Sequence, residues 1–224
     1  MAHSKKEKII KEIKNNNYPL ALTLIDYELE NNPDDPELLY NFGVCCSRTG
    51  NHKKCISVME SLLEKFPKFI EKDNIYRILI YSYIHLKEFE KALKVINERL
   101  KLNVGDPKLH SFKAHILEKT GKISEAIDVH RQILRMNPDY ANSLNSLGFL
   151  LVSKPKATEK EIQEATEVLK KVLKSSPENP AYLDSFGVLL KKRGNKEAAI
   201  QALKKALYYL PSNSEILSHL EDLI

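Results

Sequence analysis

Apolar residues fall along this chain as paired helical faces separated by short polar turns. From Pro180 onward, Leu183, Phe186 and Leu190 recur at i, i+3, i+7. After Arg193-Gly194-Asn195, the residues Ala199, Leu203, Ala206 and Leu207 recur at i, i+4, i+7, i+8. Both spacings put apolar side chains on one face of a helix. The glycine between them supplies the left-handed residue on which the first helix ends. Helices of about a dozen residues are marginal in isolation, so each pair must bury its face against its neighbours.

Proline sets the period. Pro33, Pro67, Pro138, Pro177 and Pro211 each close a helical run, with 34 residues from Pro33 to Pro67 and again from Pro177 to Pro211. Pro36, Pro107 and Pro180 open the following runs, where proline suits a first helical turn. Ala21, Ala92, Ala126, Ala165 and Ala199 stand twelve residues before the closing place, and Cys55 fills that place in the second unit. Gly50, Gly121 and Gly194 mark the turns. In register the chain divides into six units, 2–35, 36–69, 70–106, 107–140, 141–179 and 180–213. The third unit has three extra residues around 70–72, the fifth has five around 153–160, and 214–224 is one more amphipathic helix.

These units resemble the tetratricopeptide repeat (TPR) family. The sixth carries the pattern most fully, with Leu183, Phe186-Gly187, Leu190, Gly194, Ala199, Leu203, Ala206 and Pro211. The second carries Leu39, Phe42-Gly43, Cys46, Gly50, Cys55, Met59, Leu62 and Pro67. The fourth and fifth keep most of it; the first and third are less typical. Small residues at Gly43, Gly148, Gly187 and at the alanine place let the two helices of a unit approach closely. A larger side chain there would overpack the contact at a cost of roughly 1–3 kcal/mol. The resemblance implies an all-α right-handed superhelical solenoid with first helices lining a concave face. It also implies that 214–224 caps the last unit, with Leu217, Leu220 and Ile224 inward and Glu215, Glu221 and Asp222 outward, as a solenoid end requires. A weaker resemblance links the fifth and sixth units to TPR arrays of bacterial envelope-associated proteins.

Composition narrows the class further. Hydrophobic residues make 42% of the 224 and charged residues 29%, the balance of a folded, soluble protein. With 7 Gly and 10 Pro, a turn-rich all-β fold is disfavoured. No apolar run reaches membrane-spanning length. The Lys-rich stretch 5–14 is followed by no apolar segment, so no signal peptide is read and a cytoplasmic location is expected. The alternative is a periplasmic or envelope-associated location after removal of a leader. Three cysteines, Cys45, Cys46 and Cys55, odd in number and confined to one segment, point to a reducing compartment. The net charge of +5 is interspersed rather than gathered into a stripe, which gives no expectation of nucleic-acid binding.

No phosphate loop, HExxH or Gly-x-Ser-x-Gly motif occurs, so a non-enzymatic protein without cofactor or metal is expected. Adjacent Cys45 and Cys46 point about 100° apart on a helix and suit packing better than a shared ion. His110 and His130 fall at bulky packing places, where buried, hydrogen-bonded imidazoles are expected. Register with the TPR family implies that the second, fifth, ninth, twelfth and thirteenth places of each first helix face the groove, and the candidates are taken from the fifth, ninth and thirteenth. Those places give Tyr40, Val44 and Arg48; Arg77, Tyr81 and His85; Ser111 and His115; Asn145 and Phe149; and Asp184 and Val188. Apolar anchors flanked by polar groups suit a peptide segment of a partner protein. The cluster Tyr40, Val44, Arg77, Tyr81, His85 is the leading candidate. The chaperone-tail carboxylate clamp is not implied: Asn41 matches one element, but Ile10, Asn74 and Ile78 replace others. The leading reading is a peptide-binding adaptor or scaffold. The alternative is a structural subunit of a multiprotein assembly, docking through an outer face or the N-terminal repeat.

Overall fold

In the computed structural model, residues 2–224 are described, and among them the chain forms thirteen helices and no strand. They run α1 (Ala2–Lys14), α2 (Tyr18–Asn31), α3 (Pro36–Arg48), α4 (His52–Lys65), α5 (Lys72–His85) and α6 (Phe89–Leu102). They continue with α7 (Pro107–Lys119), α8 (Ile123–Met136), α9 (Ala141–Ser153), α10 (Glu159–Ser175), α11 (Pro180–Lys192), α12 (Lys196–Tyr209) and α13 (Ser214–Glu221). The helices gather into two units, one ending at Val104 and the other running Gly105–Ile224. Each is an all-α solenoid stretch in which every helix packs on the next and first helices also touch, α3 on α5 in one unit, α9 on α11 in the other.

Local chemistry explains the helix starts. Asp35 Oδ1 accepts from the backbone N–H groups of Glu37 and Leu38, Asp106 from Lys108 and Leu109, and Asn179 from Ala181 and Tyr182. Each satisfies donors that a helix leaves open, and proline, which has none to lose, follows at the first helical position. The five-residue insertion of the fifth unit becomes the 154–158 connection and a longer α10, opened by a capping box between Thr158 and Glu161. Glu161 also pairs with Lys154. That bond, with the Thr158 backbone N–H, holds the Glu161 carboxyl down at about 2.

The turns need left-handed backbone. Gly50, Gly121 and Gly194 have φ of 79°, 78° and 79°. In the two less typical repeats, Asn16 and Lys87 take that conformation with φ of 59°, at a cost glycine would avoid.

The small-residue places are packing contacts. Ala21, Cys55, Ala92, Ala126, Ala165 and Ala199 are all fully buried. A Cβ on Gly148 would stand 2.4 Å from Leu169 Cγ, and one on Gly187 would stand 2.7 Å from Leu203 Cγ. One on Gly43 would meet Met59 Cε at 2.5 Å. The backbones of paired helices are therefore as close as a missing side chain allows.

The end helix corrects one expectation. α13 packs on α12 and α11. The side chains it contributes to the core, with the turn after it, are Ile216 and Leu223, at 3% and 7% exposure, with Leu220 partly buried beside them. Leu217 is 38% and Ile224 85% exposed, so Ile216 and Leu223 replace them on the inward face while Leu220 keeps its place. Asn213 caps the Ile216 N–H and starts the helix, and packing on α11 and α12 sets the rotation at which 216, 220 and 223 face the core.

Candidate functional site

In the unit ending at Val104, the predicted residues fall into two groups. Asn51 caps α4 and so presents His52 at its first position. The His52 and His85 rings stack with centroids 4.6 Å apart and planes 15° from parallel. Tyr81, one turn before His85 on α5, lies 4.3 Å from His85 and 5.8 Å from His52. Burial, with the neighbouring His85, pushes the His52 imidazole below the usual histidine range. The other group joins α3 to the start of α5. Tyr40 meets Phe69 with ring centroids 5.8 Å apart. Arg77 Nη1 donates to Asn74 Oδ1 at 3.2 Å, and Asn74 Nδ2 donates to Glu71 Oε2 at 2.5 Å. Burial first, and then the Glu71 charge, raise the Tyr40 phenol. Val44 is half-buried and Arg48 exposed on α3. Of the expected cluster Tyr40, Val44, Arg77, Tyr81 and His85, Tyr81 and His85 share a ring contact, and Tyr40 and Arg77 both neighbour the Glu71–Asn74 stretch that opens α5.

In the second unit a cleft of about 140 Å³ opens between first helices. Asn145 and Phe149, one turn apart on α9, line it with Asp184 of α11, together with Ser146, Ala181 and Ser185. Glu118, in the last turn of α7, and Glu215, on α13, complete the lining. Asp184 is only 7% exposed, and its Oδ1 is 2.8 Å from His219 Nδ1. That bond, opposed by partial burial, raises the His219 pKa above the usual value. The Phe149 and His219 rings stand 6.0 Å apart. His130 is buried, with Nδ1 3.1 Å from Ser143 Oγ and Nε2 3.0 Å from Glu118 Oε1, which ties Glu118 in place. His110 is buried too, and the bonds of His130 go to other residues. Ser111, half-buried, and His115, exposed, sit on α7 outside the cleft lining. Val188 packs against the core of this unit.

Several residues escaped sequence reasoning. His52 opens a second helix, whereas the register followed first helices only. Glu215 and His219 lie in the helix read as a cap. Carrying the repeat register past 213 puts Glu215 at a second place, a groove position, so that signal was present. Cys45, Cys46 and Cys55 are fully enclosed, and burial pushes the first two thiols up to about 11. They pack as small apolar groups, with Ser82 Oγ 3.4 Å from Cys55 Sγ. Among the described residues no group of three or more His, Cys, Asp or Glu could hold a metal ion, and no helix is long and apolar enough to cross a membrane.

Comparison with known proteins agrees with this architecture. The tetratricopeptide repeat model matches residues 107–140 and 182–213, and a PPR repeat model matches 75–98. No curated protein matches the sequence. Among solved structures, the Cut9 hetero-tetramer with Hcn1 is similar over 96% of this chain at TM-score 0.75 and 16% identity. This chain spans 41% of that one. Pseudomonas aeruginosa pilF is similar over 98% of this chain and 96% of its own, at TM-score 0.72 and 14% identity. YrrB, described as a TPR protein with an unusual peptide-binding site, is similar over 88% and 97%, at TM-score 0.55 and 17% identity. Such identities speak for the fold alone, and that fold is a protein-interaction repeat. Helix pairs closed on small residues, left-handed turns after α1, α3, α5, α7 and α11, matching repeat models and solenoid neighbours converge: the chain carries tetratricopeptide repeats.

Proposed function

We propose that this chain is a non-enzymatic adaptor that binds a peptide segment of a partner protein along the groove face of its first helices. Its organisation in this reading is six repeats, 2–35, 36–69, 70–106, 107–140, 141–179 and 180–213, with 214–224 as a cap. The observation that carries it is the cleft of the second unit, where fifth- and ninth-place residues Asn145, Phe149 and Asp184 converge. A half-buried aromatic wall and hydrogen-bonding groups are what a peptide needs for anchoring and orientation. The peptide-binding site attributed to YrrB lends support from a similar fold. The Tyr81–His85–His52 group offers the first unit an aromatic contact surface of its own. The location proposed is cytoplasmic, and no nucleic acid is among the proposed partners.

The test compares wild type with Tyr81→Ala and Phe149→Ala in a pull-down, with circular dichroism confirming equal helicity. Both side chains are partly exposed, so the fold should tolerate truncation. Loss of a partner that wild type retains supports the groove; equal retention by both variants overturns it.

One observation favours the alternative, an assembly subunit that docks through its first repeat. A mainly apolar depression of about 200 Å³ lies on α1 and α2, walled by Ile9, Leu24 and Tyr27 with Lys5, Lys8 and Glu28 at its edge. Under that reading Tyr27→Ser, rather than Tyr81→Ala, disrupts assembly.

A further inference from the structure

The cleft of the second unit has a chemical bias that runs against the rest of the chain. The protein carries a net charge of +5, yet no Lys or Arg lines the cleft, while three carboxylates do: Glu118, Asp184 and Glu215. They come from three different helices, so the bias is made by the tertiary fold rather than by one acidic run. Independently, Asn145 Oδ1 is shut off from solvent with no hydrogen-bond partner. A carbonyl oxygen left in that state is costly, and because the Asn145 side chain is only half-buried, its turning to a donor arriving in the cleft would relieve the cost. The third feature is the half-buried Phe149 ring on the wall. The cleft therefore offers acceptors and an aromatic face.

We infer that this cleft is the specificity pocket of the peptide-binding surface and that it takes an arginine side chain of the bound segment. The inference rests on the groove reading above and names what that groove selects. A guanidinium presents several donors in one plane, enough to reach Glu215 and the Asn145 amide together, and it stacks on an aromatic ring. It is also more weakly hydrated than an ammonium, which favours it in a partly enclosed site. His130 and His219 already bond one oxygen each of Glu118 and Asp184, which holds those carboxylates in fixed orientations for an incoming cation. Glu215, exposed on the first turn of α13, is the carboxylate most able to turn toward a ligand.

The experiment is a nuclear magnetic resonance titration of the full chain with a blocked serine–alanine peptide carrying one central arginine. Matched peptides carry citrulline, its neutral isostere, or lysine in its place. The arginine peptide should shift the Asn145 side-chain amide and the backbone signals around Phe149 and Glu215. It should bind at least about tenfold more tightly than the citrulline peptide, a ratio that one charge-assisted pair supplies. Glu215→Gln should weaken arginine-peptide binding about three- to tenfold and leave citrulline-peptide binding unchanged. Equal shifts with arginine and citrulline, shifts confined to surfaces away from Asn145, or a lysine peptide binding more tightly would each overturn the assignment. Partner capture that depends on Tyr81, in the other unit, is read separately. A failed titration with Tyr81-dependent capture therefore sinks the arginine pocket and leaves the groove, whereas capture that survives both Tyr81→Ala and Phe149→Ala sinks the groove itself.

Discussion

Replacing Gly148 with alanine tests whether paired helices are set by a contact that admits no side chain. The new Cβ would lie 2.4, 2.7 and 3.0 Å from Leu169 Cγ, Cδ2 and Cδ1. Comfortable carbon contacts are about 3.5–4.0 Å, so Leu169 would have to withdraw by roughly an ångström. Leu169 is fully buried, and the atom struck first is its branch point rather than a free end. Overpacking of that kind costs about 1–3 kcal/mol. Alanine returns about 1 kcal/mol through better helix propensity. The expected net result is a loss of about 1 kcal/mol. Gly43→Ala is the internal control. Its Cβ meets Met59, chiefly the terminal methyl at 2.5 Å, and a thioether chain can swing aside. The same propensity gain then leaves Gly43→Ala near neutral. Urea unfolding followed by far-UV circular dichroism measures both, with hydrogen exchange locating the loss to α9 and α10, since repeat arrays need not unfold as one unit. Trimming Leu169 to alanine in the Gly148→Ala background should recover part of the deficit, which isolates the pairwise collision. Gly148→Ala as stable as wild type, or as mild as Gly43→Ala, would refute the reasoning.

Three further outcomes follow from local geometry. Lys87→Gly should stabilise the protein by up to about 1 kcal/mol, because Lys87 holds a left-handed backbone that glycine adopts without the Cβ penalty; a lower urea midpoint would contradict this. Asp106→Ala should cost about 1 kcal/mol by stripping the cap from the Lys108 and Leu109 N–H groups, with faster amide exchange in the first turn of α7; unchanged exchange there would count against it. His219 should titrate above the ordinary histidine value because Asp184 bonds to it, and Asp184→Asn should bring it down. With the folded pKa raised, its stabilising share is complete below the unfolded value near about 6.5 and is lost as pH rises through the folded one. An imidazole titration at or below the ordinary value would exclude the ion pair.

What was legible in the sequence was whatever depends on residues close along the chain. The 34-residue period from Pro33 to Pro67 marks helix pairs because proline, the caps before it and glycine turns act locally. Gly148 and Ala165 announced a close approach because only small residues fit one, and each helix's apolar stripe is written in its own spacing. Fifth and ninth places named Asn145, Phe149 and Asp184 for the same reason: they repeat on one helical face. What the sequence left open was decided by contacts between residues far apart in it. Nothing local says that His52 stacks on His85 rather than on another ring, or that Asp184 is held by His219. The face that α13 buries was also misread by one residue, since Leu217 and Ile216 are equally apolar and an eight-residue helix has too few turns to distinguish two adjacent stripes. Packing on α11 and α12 chose Ile216 and Leu223. The same docking brings Glu215 into the cleft lining, so the acidity of that cleft belongs to the assembled helices and to no single segment. Periodicity fixes which residues share a helical face, while the partner that face meets depends on energies summed over the packed neighbours.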